Sequence, residues 1–108
     1  MINELPTLIA ASVAANARLD ADGMVAPFAR DAVVRDDGGH HTGRDEIRTW
    51  IQSATIASHA VFTPKTWRER NGRFVVEGLT AGHFPGSPIR FTFSFLLRRD
   101  AIAGLEIA

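Results

Sequence analysis

The stretch Phe28–Ile51 constrains the fold of this chain more than any other part of the sequence. It predicts the end of a helix, a strand over Ala32–Asp37, a turn that carries two histidines, and a helix that holds Trp50. Alternation along the strand places Asp36 and Asp37 on opposite sides, without determining which of them faces inward. Acids and histidines beside an apolar helix are typical of the rim of a ligand pocket or of a solvated loop.

The helix after this turn is specified by its first residues. The segment Thr42–Asp45 resembles a capping box, in which Thr42 is the N-cap and Asp45 reaches back to it. His59 follows the end of this helix, where the helix dipole favours a cation, so capping is an alternative to a role in binding. An apolar stripe predicts that the helix ends near Ser58, and its members are Ile47, Trp50, Ile51 and Ala54.

Two more helices are predicted at the N-terminus. The segment Glu4–Arg18 has apolar residues at helical spacing, and Asp20 can cap a second, short helix that runs through Phe28. Ser12 and Asn16 place two small polar groups on the apolar face of the first helix. These groups either bond to backbone or water, or line a pocket.

The second half of the chain predicts an antiparallel sheet. Two strands, Val61–Glu69 and Arg73–Phe84, are joined by Asn71-Gly72, which is the strongest short signal for a hairpin. The next strand, Ile89–Leu97, carries large apolar residues at alternating positions, and Ile102–Ile107 closes the sheet.

The predicted order is therefore helix, helix, strand, helix and four strands, which is an α+β fold. We expect one domain, residues 1–108, in which three helices pack on a curved, mostly antiparallel sheet. Such a sheet forms a cone, and its open mouth is a natural pocket for a small molecule.

The charge and cysteine content exclude several kinds of partner and site. Twelve basic and twelve acidic residues cancel, and no basic run is longer than Arg98-Arg99, which argues against nucleic acid and anionic membranes as partners. Cysteine is absent, so disulfides and thiolate metal sites are excluded. His40 and His41 are adjacent and point opposite ways in extended chain, so no metal site is expected. We expect a soluble, cytoplasmic protein that uses no cofactor.

Three segments resemble the SnoaL-like branch of the nuclear transport factor 2-like superfamily. They are DAVVRDDG, HTGRDEIRTWI and AGHFPGSPIRFTFSFLLRRDAIAGLEI, and the similarity spans nearly the whole chain. The most specific pieces are the FxxDAVxxD strand entry, the TGxxxIxxW helix opening and the FPGSP turn. The branch includes polyketide cyclases, ketosteroid isomerases and scytalone dehydratases, so the resemblance implies a fold without fixing a reaction.

The resemblance to ketosteroid isomerases implies that Asp36 is an acid–base residue that takes a proton next to a carbonyl. The family's oxyanion-holding tyrosine falls at Ser12, and this chain has no tyrosine. Its second donor, an aspartic acid on a late strand, has no counterpart, because no acid lies between Glu77 and Asp100. Losing one such donor typically lowers the rate by about 10²–10³, which argues against efficient isomerisation of steroids. Asp36 could equally be a solvated turn residue.

The other two relatives imply a role for histidine. The acid-free interval removes the late aspartate of the polyketide cyclases, and His83 is the residue there that titrates near neutrality. Scytalone dehydratases combine an aspartate with two histidines, which Asp36, His59 and His83 could imitate, although their paired tyrosines are missing.

Two functions are open on the sequence alone. The first is a cofactor-free isomerase, cyclase or dehydratase that acts on a small hydrophobic carbonyl compound, with Asp36 and His83 as catalytic residues. The second is a non-catalytic ligand-binding or dimerisation module. We expect a homodimer that pairs through the sheet face of Arg90, Thr92, Ser94 and Leu96. The residues expected to bind the ligand are Ser12, Asn16, Trp50, His59, Phe91 and Phe93.

Overall fold

The computed structural model describes residues 4–36 and 38–108, and it confirms the α+β architecture in which helices pack on a curved sheet. Asp37, the second candidate for the inward-facing acid, lies outside the described residues. The helices are α1 (Thr7–Ala17), α2 (Ala21–Val25) and α3 (Gly43–Trp50), and α3 continues as a π-helical segment, Ile51–Ile56. The strands are β1 (Phe28–Asp36), β2 (Gly39–Thr42), β3 (Val61–Arg70), β4 (Arg73–Ala81), β5 (Ile89–Arg98) and β6 (Ala101–Ile107).

The strands form one sheet in the order β2-β1-β6-β5-β4-β3. All neighbours are antiparallel except β1 and β6, which are parallel. The segment predicted as a histidine-bearing turn is in fact β2, so the element order contains one strand more than predicted. Gly38 has φ +78° and lets the chain reverse tightly, which pairs Asp36 with Gly39.

The end of the second helix and the cap of the third differ from the prediction. The second helix ends at Val25 rather than near Phe28, because Pro27 has no N–H with which to continue the helix. The capping box is displaced by one residue: the Thr42 N–H donates to Glu46 Oε1 at 2.8 Å, and the Thr42 side chain makes no cap. Gly43, the first residue of α3, has φ +85°, a left-handed value that glycine adopts without strain. Asp20 caps α2 as predicted and accepts a hydrogen bond from Gly23 N at 3.1 Å.

The hairpin between β3 and β4 forms as predicted. Asn71 and Gly72 have φ of 54° and 78°, and Arg70 pairs with Arg73 around them. The strand β4 ends at Ala81, earlier than predicted, because the next residues bond to another segment. There the His83 N–H donates to the Ser58 carbonyl at 2.6 Å.

The core lies between the helices and the concave face of the sheet. No helix in residues 4–36 and 38–108 has the length and apolar character needed to cross a lipid bilayer. The largest side chains in the core that are almost fully shielded from solvent come from both layers, and they are Ile9, Val34, Ile47, Ile51, Val76, Phe95 and Ile102.

Candidate functional site

A cavity of about 260 Å³ lies between the helices and the concave face of the sheet, and it is partly open to solvent. Most of its lining is apolar. The Phe62 and Phe93 rings stack on each other with centroids 4.0 Å apart, and they form part of the cavity wall. The phenylalanines in the lining are Phe28, Phe62, Phe84, Phe91, Phe93 and Phe95, which include the predicted Phe91 and Phe93.

Asp36 lies at the end of β1 and contributes a carboxylate to this lining. Because alternate residues of a strand point to the same face, the Asp36 side chain lies on the same face of the sheet as the fully buried Val34. Its Oδ2 accepts a hydrogen bond from Trp50 Nε1 at 2.9 Å. No hydrogen bond to Oδ1 is found among the described residues. The indole N–H therefore holds one of the two carboxylate oxygens in a fixed direction.

Trp50 links Asp36 to the short strand β2. Its indole is buried and lines the cavity, and its ring stacks on that of His41 with centroids 5.7 Å apart. His41 pairs with Val34, so it lies on the same face of the sheet as Asp36. His41 was not predicted as a site residue, because its segment was expected to be a turn. A strand pairing across Gly38 would have placed it beside Asp36.

Ser12 and Asn16 both line the cavity from α1. The Asn16 amide is already engaged: Nδ2 donates to the Ala60 carbonyl at 2.9 Å, and Oδ1 accepts from Phe62 N at 2.7 Å. Asn16 therefore joins α1 to β3 and forms part of the wall. Ser12 has no such bonds within the described chain.

Three hydroxyl side chains in the lining were not predicted, and they are those of Thr55, Ser58 and Thr80. Thr55 follows the apolar stripe of α3 into the π-helical segment. There Ala57 N bonds to Gln52 O and Ala60 N bonds to Thr55 O, both across five residues. The stripe, continued by one turn, could have indicated Thr55 and Ser58. Thr80 depends on the register between β4 and β5, for which the sequence has no signal.

His59 and His83 are placed together, and neither is part of the cavity lining. Both are exposed, and their rings lie 4.6 Å apart at 35°. The arrangement of Asp36 with two histidines around one ligand is not formed. The catalytic role expected for His83 and the binding role expected for His59 remain predictions, and neither side chain lines the cavity.

The shifted pKa values lie away from the cavity. A hydrogen bond from Arg98 at 2.5 Å holds the pKa of Asp31 below its ordinary value, and the same contact raises the pKa of Arg98. The Gly23 N–H lowers the pKa of Asp20 in the cap of α2. Within the described chain, no three acidic, histidine or cysteine residues lie close enough together to hold a metal ion.

Solved structures share this architecture. One is a protein from Sinorhizobium meliloti, provisionally described as a polyketide cyclase. It is 35% identical, and the match covers 96% of this chain and 95% of that chain with a TM-score of 0.90. A protein with a ketosteroid isomerase-like fold from Catenulispora acidiphila, in complex with trimethylamine, is 21% identical over 97% of this chain and 86% of that chain, with a TM-score of 0.83.

A third structure, an NTF2-like protein of unknown function from Cytophaga hutchinsonii, is 11% identical over 98% of this chain and 91% of that chain, with a TM-score of 0.79. The second and third similarities show the fold alone. No match was found among curated protein sequences. The sequence profile of the SnoaL-like domain matches residues 9–104, which is most of the chain. The protein therefore belongs to the family of SnoaL-like domains, as its sequence motifs predict.

Proposed function

We propose that the cavity binds a small hydrophobic carbonyl compound and that Asp36 transfers a proton on it, as in a cofactor-free isomerase, cyclase or dehydratase. The observation that carries this proposal is the Asp36 carboxylate in an apolar cavity, with Oδ2 held by Trp50 Nε1 at 2.9 Å. A base must lie in a fixed direction within reach of the proton that it takes. The indole N–H supplies that direction and leaves Oδ1 to approach a carbon next to the carbonyl.

Neutral hydroxyl groups would have to stabilise the negative charge that develops on the carbonyl oxygen. Ser12 lines the cavity at the position that the sequence comparison assigned to a tyrosine, and Thr55 and Ser58 line it from the helical side. A serine or threonine hydroxyl is a weaker acid than a tyrosine or a protonated aspartic acid. Since one well-placed donor contributes about 10²–10³ in rate, we expect slow turnover compared with an enzyme that has both donors.

The volume of the cavity limits the size of the ligand. A cavity of about 150 Å³ holds benzene, and the present one has about 260 Å³. A compound with one or two rings fits inside, whereas a four-ring steroid would extend through the mouth. The similarity to the protein provisionally described as a polyketide cyclase supports a cyclase among these reactions.

Deuterium exchange into 1-tetralone in heavy water tests this proposal. This two-ring ketone has an acidic C–H next to its carbonyl, and mass spectrometry follows the exchange. We expect the wild-type protein to accelerate the exchange above the buffer rate and Asp36→Asn to abolish the acceleration while 1-tetralone still binds. Asp31→Asn is the matched control, because Asp31 lies on the same strand but outside the cavity.

A protein that binds 1-tetralone without accelerating exchange, or whose rate is the same in Asp36→Asn, would support the alternative function instead. The chain would then be a non-catalytic ligand-binding module of the same fold. The two outcomes are separated by measuring binding and exchange on the same samples.

We also propose that two copies pair through the outer face of the sheet. Leu96 lies on this face and is the most exposed large hydrophobic residue of the described chain, at 37%. Ion pairs of Glu106 with Arg35 and Arg73 lie beside it, so the face carries balanced charge that a second copy can complement. We expect light scattering to give a dimer and Leu96→Glu to give a monomer. A wild-type mass near 11.8 kDa at micromolar concentration would refute this.

A further inference from the structure

We propose that Thr80 binds an oxygen atom of the ligand at the end of the cavity remote from Asp36. The inference rests on the proposed function, because it takes the cavity to be the ligand site. Thr80 lies on β4, is 9% exposed and lines the cavity. Its hydroxyl oxygen is buried and has no hydrogen-bond partner among the described residues.

Packing alone does not explain a threonine at this position. Thr80 pairs with Phe62 on one side and Ile89 on the other, and both of these apolar side chains also line the cavity. A buried hydroxyl without a hydrogen-bond partner is unfavourable. Valine has the same shape as threonine and would avoid this cost. Rotation about χ1 exchanges the methyl group and the hydroxyl of threonine, so the hydroxyl can turn toward a bound ligand.

The strand register separates Thr80 from Asp36. Asp36 pairs with Ile107, Ile107 pairs with Phe93, and Phe93 pairs with Val76. Thr80 lies four residues beyond Val76 along β4. On a flat sheet these offsets amount to about 14 Å across the strands and about 13 Å along them, and curvature shortens the path through the hollow.

The oxygen at Thr80 is consequently not the oxygen of the carbonyl that Asp36 activates. It belongs to a second group at the far end of the same molecule. A threonine hydroxyl donates one hydrogen bond and accepts others, so either a hydroxyl or a carbonyl oxygen suits it. The ligand class is an elongated apolar body of two rings with an enolisable carbonyl at one end and an oxygen substituent at the other.

Calorimetric binding of two ketones to three proteins tests the inference. The ketones are 1-tetralone and 6-hydroxy-1-tetralone, which differ by one oxygen at the remote end. We expect wild-type protein to prefer the hydroxylated ketone by about fivefold to tenfold, as one neutral hydrogen bond contributes. Thr80→Val should abolish this preference and leave the affinity for 1-tetralone unchanged. Thr66→Val, an exposed threonine on β3, should keep the preference.

The melting temperature of the free proteins provides a second readout. Thr80→Val removes a buried hydroxyl that lacks a partner, so it should not lower the melting temperature. Thr80→Ser keeps the hydroxyl and should keep the preference even if Thr80→Val folds poorly. Equal affinities of wild-type protein for the two ketones, or an unchanged preference in Thr80→Val, would overturn the inference.

The result is independent of catalysis. Loss of the preference in Thr80→Val together with no deuterium exchange by wild-type protein would support the Thr80 contact and refute proton transfer by Asp36. Deuterium exchange that depends on Asp36, with no effect of Thr80→Val on the binding of either ketone, would support proton transfer by Asp36 and refute the Thr80 contact.

Discussion

Replacement of Asn16 by alanine should strongly destabilise the protein, although Asn16 carries no charge. Asn16 is 7% exposed on α1 and reaches the outer edge of β3, the last strand of the sheet. Its Nδ2 donates to the Ala60 carbonyl at 2.9 Å, and its Oδ1 accepts from Phe62 N at 2.7 Å. The side-chain amide thus takes the place of a neighbouring peptide at a buried strand edge.

The magnitude follows from the two backbone groups that alanine leaves without partners. A buried polar group that loses its partner costs about 1–3 kcal/mol, so Asn16→Ala should lower the free energy of unfolding by about 2–6 kcal/mol. Proteins have roughly 0.05–0.15 kcal/mol of stability per residue, which gives this chain about 5–16 kcal/mol in total. The substitution therefore removes a large fraction of the stability.

Urea denaturation followed by tryptophan fluorescence measures this loss. Ser12→Ala is the matched control, because Ser12 lies one turn earlier on α1 and lines the same cavity, and we expect it to cost less than about 1 kcal/mol. Asn16→Asp keeps an acceptor for Phe62 N but no donor for Ala60, so it should also be destabilised. If Asn16→Ala lowers the free energy of unfolding by less than about 1 kcal/mol, with an unchanged m-value, the conclusion that Asn16 stabilises the contact between α1 and β3 would be refuted.

Three other predictions concern single residues. Gly78→Ala should destabilise the protein by about 1–3 kcal/mol in urea denaturation, because its Cβ would meet the Thr63 carbonyl; an unchanged midpoint would contradict this contact. Trp50→Phe should slow deuterium exchange into 1-tetralone, because Asp36 loses the indole N–H that orients its carboxylate; an unchanged rate would contradict this orienting role. Arg98 lowers the pKa of Asp31 from its ordinary value of 3.8, so the ion pair contributes a little stability above pH 3.8, and this contribution is lost as the pH falls through the lower folded-state pKa. The unfolding midpoints of the wild type and of Asp31→Asn should therefore converge in acid. A difference between the midpoints that stays constant with pH would contradict this.

The sequence was sufficient for the architecture because its patterns are periodic. The hairpin at Asn71 and Gly72, the alternation along β5 and the stripe of α3 are each local signals that packing does not override. The strand β2 was missed because it contains only four residues and has no apolar alternation. It exists because Gly38 turns the chain back onto β1.

The candidate site was predictable only in part, because cavity residues depend on contacts across the chain. Asp36 was identifiable from its motif, but its direction follows from the burial of Val34 on the same face. The partners of Asn16 lie 44 and 46 residues away, and no local pattern indicates them. Thr80 reaches the cavity through the register of β4, and the rings of His59 and His83 pack on each other outside the cavity.

A crystal structure of the protein with 6-hydroxy-1-tetralone tests the central claim most directly. The quantity to measure is the distance from Asp36 Oδ1 to the ligand carbon next to the carbonyl. We predict a distance of about 3–3.5 Å, the separation at which a proton can be transferred, with the Trp50 contact to Asp36 intact. An Asp36 carboxylate turned away into solvent, or a ketone bound outside the cavity, would contradict the account.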